Sequence, residues 1–197
     1  MDYLANSADY TLNFSFNQVE SLNLGPNEDY GQGVIAQHGI CWILTMDWLE
    51  SRLTEKAFVV SKQSVLEKPR QLRKIIGNQI ASWDLAYQQY KPNLRLGNPR
   101  RRNMSADNCR NSVDLGQGQG VALHLGPELD QLGGTAHLIA VVRNGNGYVM
   151  FDPNFGEFQC ARENQARAWV AAICQHRRNN GTRYIDWANN ITAIPFR

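Results

Sequence analysis

Residues 38–50, HGICWILTMDWLE, place one cysteine after a glycine and ahead of a strongly apolar run. Apolar side chains would occupy all sides of a helix formed here, which predicts a buried central helix rather than a surface one. Gly39 permits a tight backbone entry, so we expect Cys41 in the first helical turn, where unpaired N–H groups and the helix dipole favour a thiolate. Cys41 is therefore a candidate nucleophile. The alternative is a small buried hydrophobic residue, the more frequent role of a free cysteine.

The length of 197 residues and the hydrophobic content of 43% fit one globular domain over residues 1–197, with a polar N-terminal arm over residues 1–31. Residues 1–7 lack a basic region followed by an apolar run, which argues against an ordinary secretory signal. No stretch approaches the length of a membrane span. Export would therefore need a route without a classical signal peptide.

The four cysteines share no C-x-x-C spacing, and none lies in a His/Cys array that resembles a zinc site. We therefore expect four free thiols, no structural metal and no cofactor. The cysteines are Cys41, Cys109, Cys160 and Cys174.

The net charge of +2 conceals a strong segregation of charge along the chain. Residues 1–51 hold seven acids and no Lys or Arg, residues 52–110 hold thirteen Lys/Arg and four acids, and residues 111–197 hold seven of each. The basic 52–110 region would suit an acidic partner or an anionic membrane surface. Its arginine triplet, residues 100–102, is more typical of a solvated loop. Because the overall balance lacks a large basic excess, we expect no nucleic-acid binding.

The order of the patterns predicts an α+β domain, with helices first, then an antiparallel sheet with a late helix inserted. Alternation over Tyr10–Phe16 predicts a short strand, Ser61–Glu67 resembles a helix start, and Gln71–Tyr90 has the spacing of an amphipathic helix that exposes Arg70, Arg73 and Lys74. Strands are predicted at Val121–Leu125, Ala136–Val142, Tyr148–Phe151, Arg183–Trp187 and Ile191–Phe196, and a helix at Arg162–Arg178.

A cysteine nucleophile needs a histidine to take its proton, and that histidine needs a third group to fix its tautomer. The chain offers four histidines. His38 is too near Cys41 in sequence to be a good partner, His124 lies mid-strand, and His176 lies in a charged helix end. His137 differs because it opens an apolar strand.

The dipeptide Asn144-Gly145 is a strong hairpin signal shortly after this strand. If it forms a two-residue loop, Asp152 lies directly opposite His137, where a carboxylate can hold an imidazole N–H. If Asn146-Gly147 forms the turn instead, Gly156 takes that place. The first register supplies the orienting acid, and the order cysteine, histidine, aspartate is that of papain-like proteases.

Three blocks of sequence resemble the YopT-type (AvrPphB-like) papain-fold cysteine protease effectors of bacteria. They are Gly39-Ile40-Cys41-Trp42-Ile43-Leu44 with Trp48-Leu49, Ala136-His137, and Phe151-Asp152-Pro153-Asn154-Phe155-Gly156-Glu157-Phe158. The resemblance implies a papain-like fold, in which a central helix bearing the cysteine packs against an antiparallel sheet. It assigns Cys41 as nucleophile, His137 as base and Asp152 as orienting acid. A side-chain amide before the cysteine completes the family's oxyanion hole, and Gln37 is the nearest candidate here, with Gln32 next.

The resemblance also implies a thiol protease that is secreted, acts in the cytoplasm of a host or target cell, and cleaves a specific host protein. A glutamine deamidase effector with the same triad is the first alternative, because its chemistry is the same and only access to the site differs. A non-enzymatic binding module that uses the basic 52–110 region is the second.

Overall fold

The computed structural model describes residues 8–17, 34–61, 89–97, 101–126, 137–179 and 191–197. The helices there are α1 (Val34–Leu53), α2 (Ala106–Cys109) and α3 (Glu163–Asn179), with a 3₁₀ turn at Arg110–Val113. The strands are β1 (Thr11–Ser15), β2 (Arg101–Met104), β3 (Gln119–Leu125), β4 (His137–Asn144), β5 (Gly147–Asp152), β6 (Gly156–Cys160) and β7 (Ile191–Phe196). The predicted α+β class is confirmed.

The described strands form one sheet of seven, in the order β1-β6-β5-β4-β3-β7-β2, and every neighbouring pair is antiparallel. Strands β3 to β6 follow one another in space as they do in sequence, while β7 returns from the end of the chain to pair with β3. The middle of the sheet is therefore built by the segment that holds His137 and Asp152.

Helix α1 covers one face of this sheet. A Cβ atom placed on Gly120 would lie 2.8 Å from Leu49 Cδ1, so β3 and α1 are in close contact there. Ala122 joins the same apolar cluster as α1, whereas Leu123 belongs to the cluster that includes Trp169 of α3. Because successive strand residues point to opposite faces, α1 and α3 lie on opposite sides of the sheet. The predicted packing of the cysteine-bearing helix against an antiparallel sheet is confirmed.

The predicted start of α1 is wrong. The helix begins at Val34, so Cys41 lies in its third turn rather than its first. Gly39 does not interrupt the helix, because an interior glycine costs only about 1 kcal/mol relative to alanine and packing outweighs that. The helix dipole acts within the first turn, so it no longer explains why Cys41 would react.

Both predicted registers of the β4–β5 hairpin are also wrong. Asn144 pairs with Gly147, so the two-residue loop is Gly145-Asn146. Gly145 has a φ of +49°, and a glycine at the first loop position suits a type II′ turn. Relative to the preferred prediction, Asp152 moves two residues along its strand, which keeps it on the same face of the sheet as His137.

The arginine triplet was predicted to lie in a loop, but Arg101 and Arg102 belong to β2. This strand pairs with β7 and is at one end of the order of the described strands. Charged residues are common in edge strands because they disfavour pairing with another chain. The helix start at 61–67, the helix at 71–90 and the strand at 183–187 lie almost wholly outside the described residues.

Two glycines with positive φ provide a matched test of the fold. Gly156 has a φ of +119°, and an added Cβ would lie 2.1 Å from the Phe14 carbonyl oxygen of β1, whereas Gly145 has open space around it. Gly156→Ala should lower the free energy of unfolding by about 3 kcal/mol or more, because it strains the backbone and pushes β1 away. Gly145→Ala should cost only about 1 kcal/mol. Equal losses in urea denaturation would contradict the contact between β1 and β6.

Candidate active site

Buried polar side chains gather at one end of the sheet. Strand β4 begins there, β5 ends there, and the register places the end of β3 and the start of β7 beside them. Burying a polar group is costly unless it finds a partner, so such a cluster needs a structural or chemical reason. Its members in the sheet are His124, His137, Asp152 and Thr192, and Thr45 of α1 joins it at the start of β4.

His137 and Asp152 form the central pair of this cluster. His137 Nε2 lies 2.8 Å from Asp152 Oδ1, and the exposed fractions of the two residues are 4% and 0%. Continuing the register of the hairpin puts Asp152 opposite Ile139, so His137 is its diagonal neighbour. Diagonal neighbours on one face are about 7–8 Å apart at Cα, which long side chains can bridge. The predicted hydrogen bond between His137 and Asp152 is therefore present, although the predicted register of the β4–β5 hairpin is wrong.

The turn after β5 fixes the carboxylate of Asp152. The Asp152 carbonyl accepts a hydrogen bond from the backbone N–H of Phe155 at 3.0 Å, and Oδ1 accepts one from the N–H of Asn154 at 2.8 Å. Aspartate at the first position and proline at the second are typical of such a turn, and Pro153 supplies the proline. The Asp152-Pro153-Asn154 block thus holds one carboxylate oxygen in place for the imidazole.

Cys41 is 5% exposed. One helical turn after it, a hydrogen bond joins α1 to β4. Thr45 donates its hydroxyl to the Leu138 carbonyl, with 2.9 Å between the two oxygens, and Leu138 directly follows His137. Farther along, Leu49 approaches Gly120, which pairs with Val142. Helix α1 therefore runs in the same direction as β4.

Because of this direction, Cys41 lies at the His137 end of β4, about 6 Å along the helix axis beyond Thr45. Strand alternation puts His137 and Asp152 on the α3 side of the sheet, while Leu138 faces α1. However, His137 is the first residue of β4 and Asp152 the last of β5. The pair thus lies at the margin of the sheet, where none of the described strands separates it from the α1 side.

A second buried imidazole lies at the same end of the sheet. His124 pairs with Leu138 on one side and with Thr192 on the other. His124 lies two residues after Ala122 in β3, so both side chains point to the face of the sheet that α1 covers. Sequence reasoning treated His124 as an ordinary mid-strand residue. Only the pairing of three strands shows that it lies under the helix that carries Cys41.

The remaining candidates from the sequence are the two glutamines proposed for the oxyanion hole and two further histidines. Gln37 lies inside α1, one turn before Cys41, rather than in a segment that precedes the helix, and Gln32 lies outside the described residues. The oxyanion-hole assignment stays a prediction. His38 belongs to α1 and His176 to α3. Among the described residues, no group of three or more His, Cys, Asp and Glu side chains could hold a metal ion.

Sequence reasoning missed the role of Glu157, which follows the turn at Asp152. Its buried carboxylate accepts hydrogen bonds from Trp48 Nε1 at 2.6 Å, Arg52 Nε at 2.9 Å and Asn13 Nδ2 at 2.9 Å. Glu157 thereby ties β6 to β1 and to the helix that carries Cys41. The available signal was an acidic residue directly between glycine and phenylalanine at the start of a strand.

A family model matches residues 119–185, and the family is peptidase C58, described as Yersinia/Haemophilus virulence surface antigen. The matched segment includes His137 and Asp152, while Cys41 lies before it. This match bears out the resemblance to YopT-type cysteine peptidases. It indicates a cysteine peptidase, which is a hydrolase, of the type found among virulence effectors.

The fold is similar to that of the Pseudomonas avirulence protein AvrPphB, whose crystal structure matches with a TM-score of 0.56 and 22% sequence identity. The alignment covers 80% of this chain and 91% of that one. At this identity the match establishes the papain-like fold. No curated protein sequence matches the chain. None of the described helices has the length and apolar content needed to cross a membrane.

Proposed function

We propose that this chain is a cysteine protease effector that uses Cys41 as nucleophile, His137 as general base and Asp152 as orienting acid. The observation that carries the proposal is the buried hydrogen bond between His137 and Asp152, at the end of the sheet where the Cys41 turn of α1 lies. Histidine held by a carboxylate next to a cysteine is the arrangement that activates a thiol.

The hydrogen bond to Asp152 supports one division of roles between the two imidazole nitrogens of His137. An ionised Asp152 accepts the Nε2–H of His137, and in the proposed mechanism Nδ1 accepts the thiol proton of Cys41. The cysteine sulfur then attacks a peptide carbonyl, and Nδ1–H gives the proton to the leaving amine. Water, deprotonated by Nδ1, hydrolyses the resulting thioester. Asp152 remains ionised throughout and stabilises the imidazolium.

The substrate we propose is a specific protein of a host or target cell. The support is the match to a virulence family and the similarity to an avirulence protein, which fit a protein delivered to another cell. Residues 1–197 would form a single catalytic domain, with residues 1–31 as a polar arm whose strand β1 pairs with β6. Gln37 would donate an oxyanion hydrogen bond through its side-chain amide.

The proposal is tested by incubating lysate of candidate target cells with the wild-type chain and with Cys41→Ala, followed by mass spectrometry of protein termini. We expect new N-termini, concentrated in one or a few proteins, only with the wild type. Cys160→Ala is the matched control, since it removes a thiol outside the proposed site and should leave cleavage intact.

Other outcomes would overturn the proposal in distinct ways. A mass increase of about one unit on a glutamine, without new termini, would indicate a deamidase. Recovery of the same bound protein with the wild type and Cys41→Ala, without chemical change, would indicate a binding module based on the basic 52–110 region.

A further inference from the structure

Two thiols are in direct contact on the side of the sheet opposite α1. Cys109 Sγ lies 3.4 Å from Cys174 Sγ, and the exposed fractions of the two residues are 0% and 7%. Cys109 is the last residue of α2, and Cys174 lies in α3. Sixty-five positions separate them along the chain, so only the tertiary fold brings them together.

We propose that Cys109 and Cys174 are a redox-modification site, which converts reversibly between two thiols and an intramolecular disulfide that pins α2 to α3. A disulfide needs a sulfur–sulfur distance of about 2.05 Å, so the sulfurs must approach by roughly 1.4 Å. Rotation about the Cα–Cβ bonds can supply a movement of that size. The site does not depend on the proposed protease activity.

The position of the pair gives the disulfide a large effect on the domain. It would close a loop from Cys109 to Cys174 that encloses strands β3 to β6, the centre of the sheet. Cross-linking restricts the unfolded chain more strongly as the closed loop lengthens. In the reduced state, a hydrogen bond of 3.0 Å from Arg167 of α3 to Asn111 of the 3₁₀ turn already joins the same two segments.

The reaction is thiol–disulfide exchange with a small disulfide such as oxidised glutathione. The thiolate of Cys174, the more exposed of the pair, attacks a glutathione sulfur and releases one glutathione. The Cys109 thiolate then attacks the mixed disulfide and releases the second. Two protein thiols are oxidised, one glutathione disulfide is reduced to two thiols, and the protein's two protons go to these products.

The environment of the pair sets the rate of this exchange. The hydrogen bond to Cys109 and burial raise the pKa of the Cys174 thiol above its ordinary value. Because the thiolate is the attacking species, oxidation should be slow at pH 7 and should accelerate about tenfold per pH unit, without a plateau at the ordinary thiol pKa. Once formed, the disulfide should persist until a reductant is added.

The test uses the full chain with Cys41→Ala, which removes the proposed nucleophile and leaves three thiols of the four. After incubation with oxidised glutathione at about pH 8.5, peptide mapping should show one internal disulfide between Cys109 and Cys174. The melting temperature should rise by about 10 °C and return after treatment with dithiothreitol. Adding Cys160→Ser should leave both results unchanged, and adding Cys174→Ser should abolish both.

Two results would overturn the proposal. One is a pair that stays reduced while Cys160 in the same sample is glutathionylated, which would show that oxidant was present and the pair inert. The other is a disulfide that forms only when urea has unfolded the chain. Peptide mapping of the Cys41→Ala protein gives either answer even if Cys174→Ser fails to fold.

Discussion

Asp152→Ala should lower kcat/KM by about 1,000- to 10,000-fold, because the imidazole of His137 loses the group that fixes its tautomer and stabilises its charged form. Asp152→Asn should lower it by a smaller factor, since the amide oxygen can still accept the Nε2–H bond but carries no charge. Both values come from initial rates on a cleaved peptide, after circular dichroism has shown a folded chain.

Comparing the two variants separates a catalytic role of Asp152 from a purely structural role in the turn after β5. The Asp152 side chain also accepts the N–H of Asn154, and losing that bond should cost about 1–3 kcal/mol of stability. Asp152→Asn can keep it. If Asp152 were only a turn residue, Asp152→Asn would behave like the wild type in rate and in its pH profile, and near-wild-type turnover of Asp152→Ala would refute the assignment outright.

Glu157→Ala should lower the free energy of unfolding by about 3–5 kcal/mol. The substitution leaves the buried indole N–H of Trp48 without its acceptor and removes the carboxylate partner of Arg52. Glu157 is buried, whereas the Arg52 side chain is 30% exposed, so solvent screens part of the Arg52 contribution. The larger share should therefore come from the Trp48 bond.

Urea denaturation measures this loss, and two further variants show its origin. Glu157→Gln should cost less, about 1–3 kcal/mol, because the amide oxygen can still accept one hydrogen bond. Glu157→Ala combined with Arg52→Met should cost less than the sum of the two single changes, since the two residues share one interaction. A loss below 1 kcal/mol for Glu157→Ala would contradict the network.

Local sequence patterns predicted the elements that hold the candidate site. Apolar residues around Cys41 predicted a buried helix, and period-two runs after Gly120 predicted β3, β4 and β5. Element boundaries were predicted less well, because the energetic effects that set them are small. Gly39 is tolerated within α1, and a hairpin containing Asn-Gly-Asn-Gly offers several loops of similar stability.

Contacts between distant segments could not be predicted. The bonds of Glu157, the approach of Cys109 to Cys174 and the position of His124 beneath α1 all depend on which strands pair and which face a helix covers. The pairing of His137 with Asp152 was predictable only because a short hairpin joins them. Nothing in the sequence near Cys41 indicates which of the two buried histidines it meets.

The most direct test of the account is therefore a chemical cross-link from Cys41. The reagent 1,3-dibromoacetone alkylates a reactive thiol and then a histidine nitrogen in contact with it. We predict a single cross-linked pair of peptides that joins Cys41 to His137 at Nδ1, absent with Cys41→Ala and absent after acid unfolding. A cross-link to His124, or alkylation of Cys41 without any histidine cross-link, would contradict a reaction centre made of Cys41, His137 and Asp152.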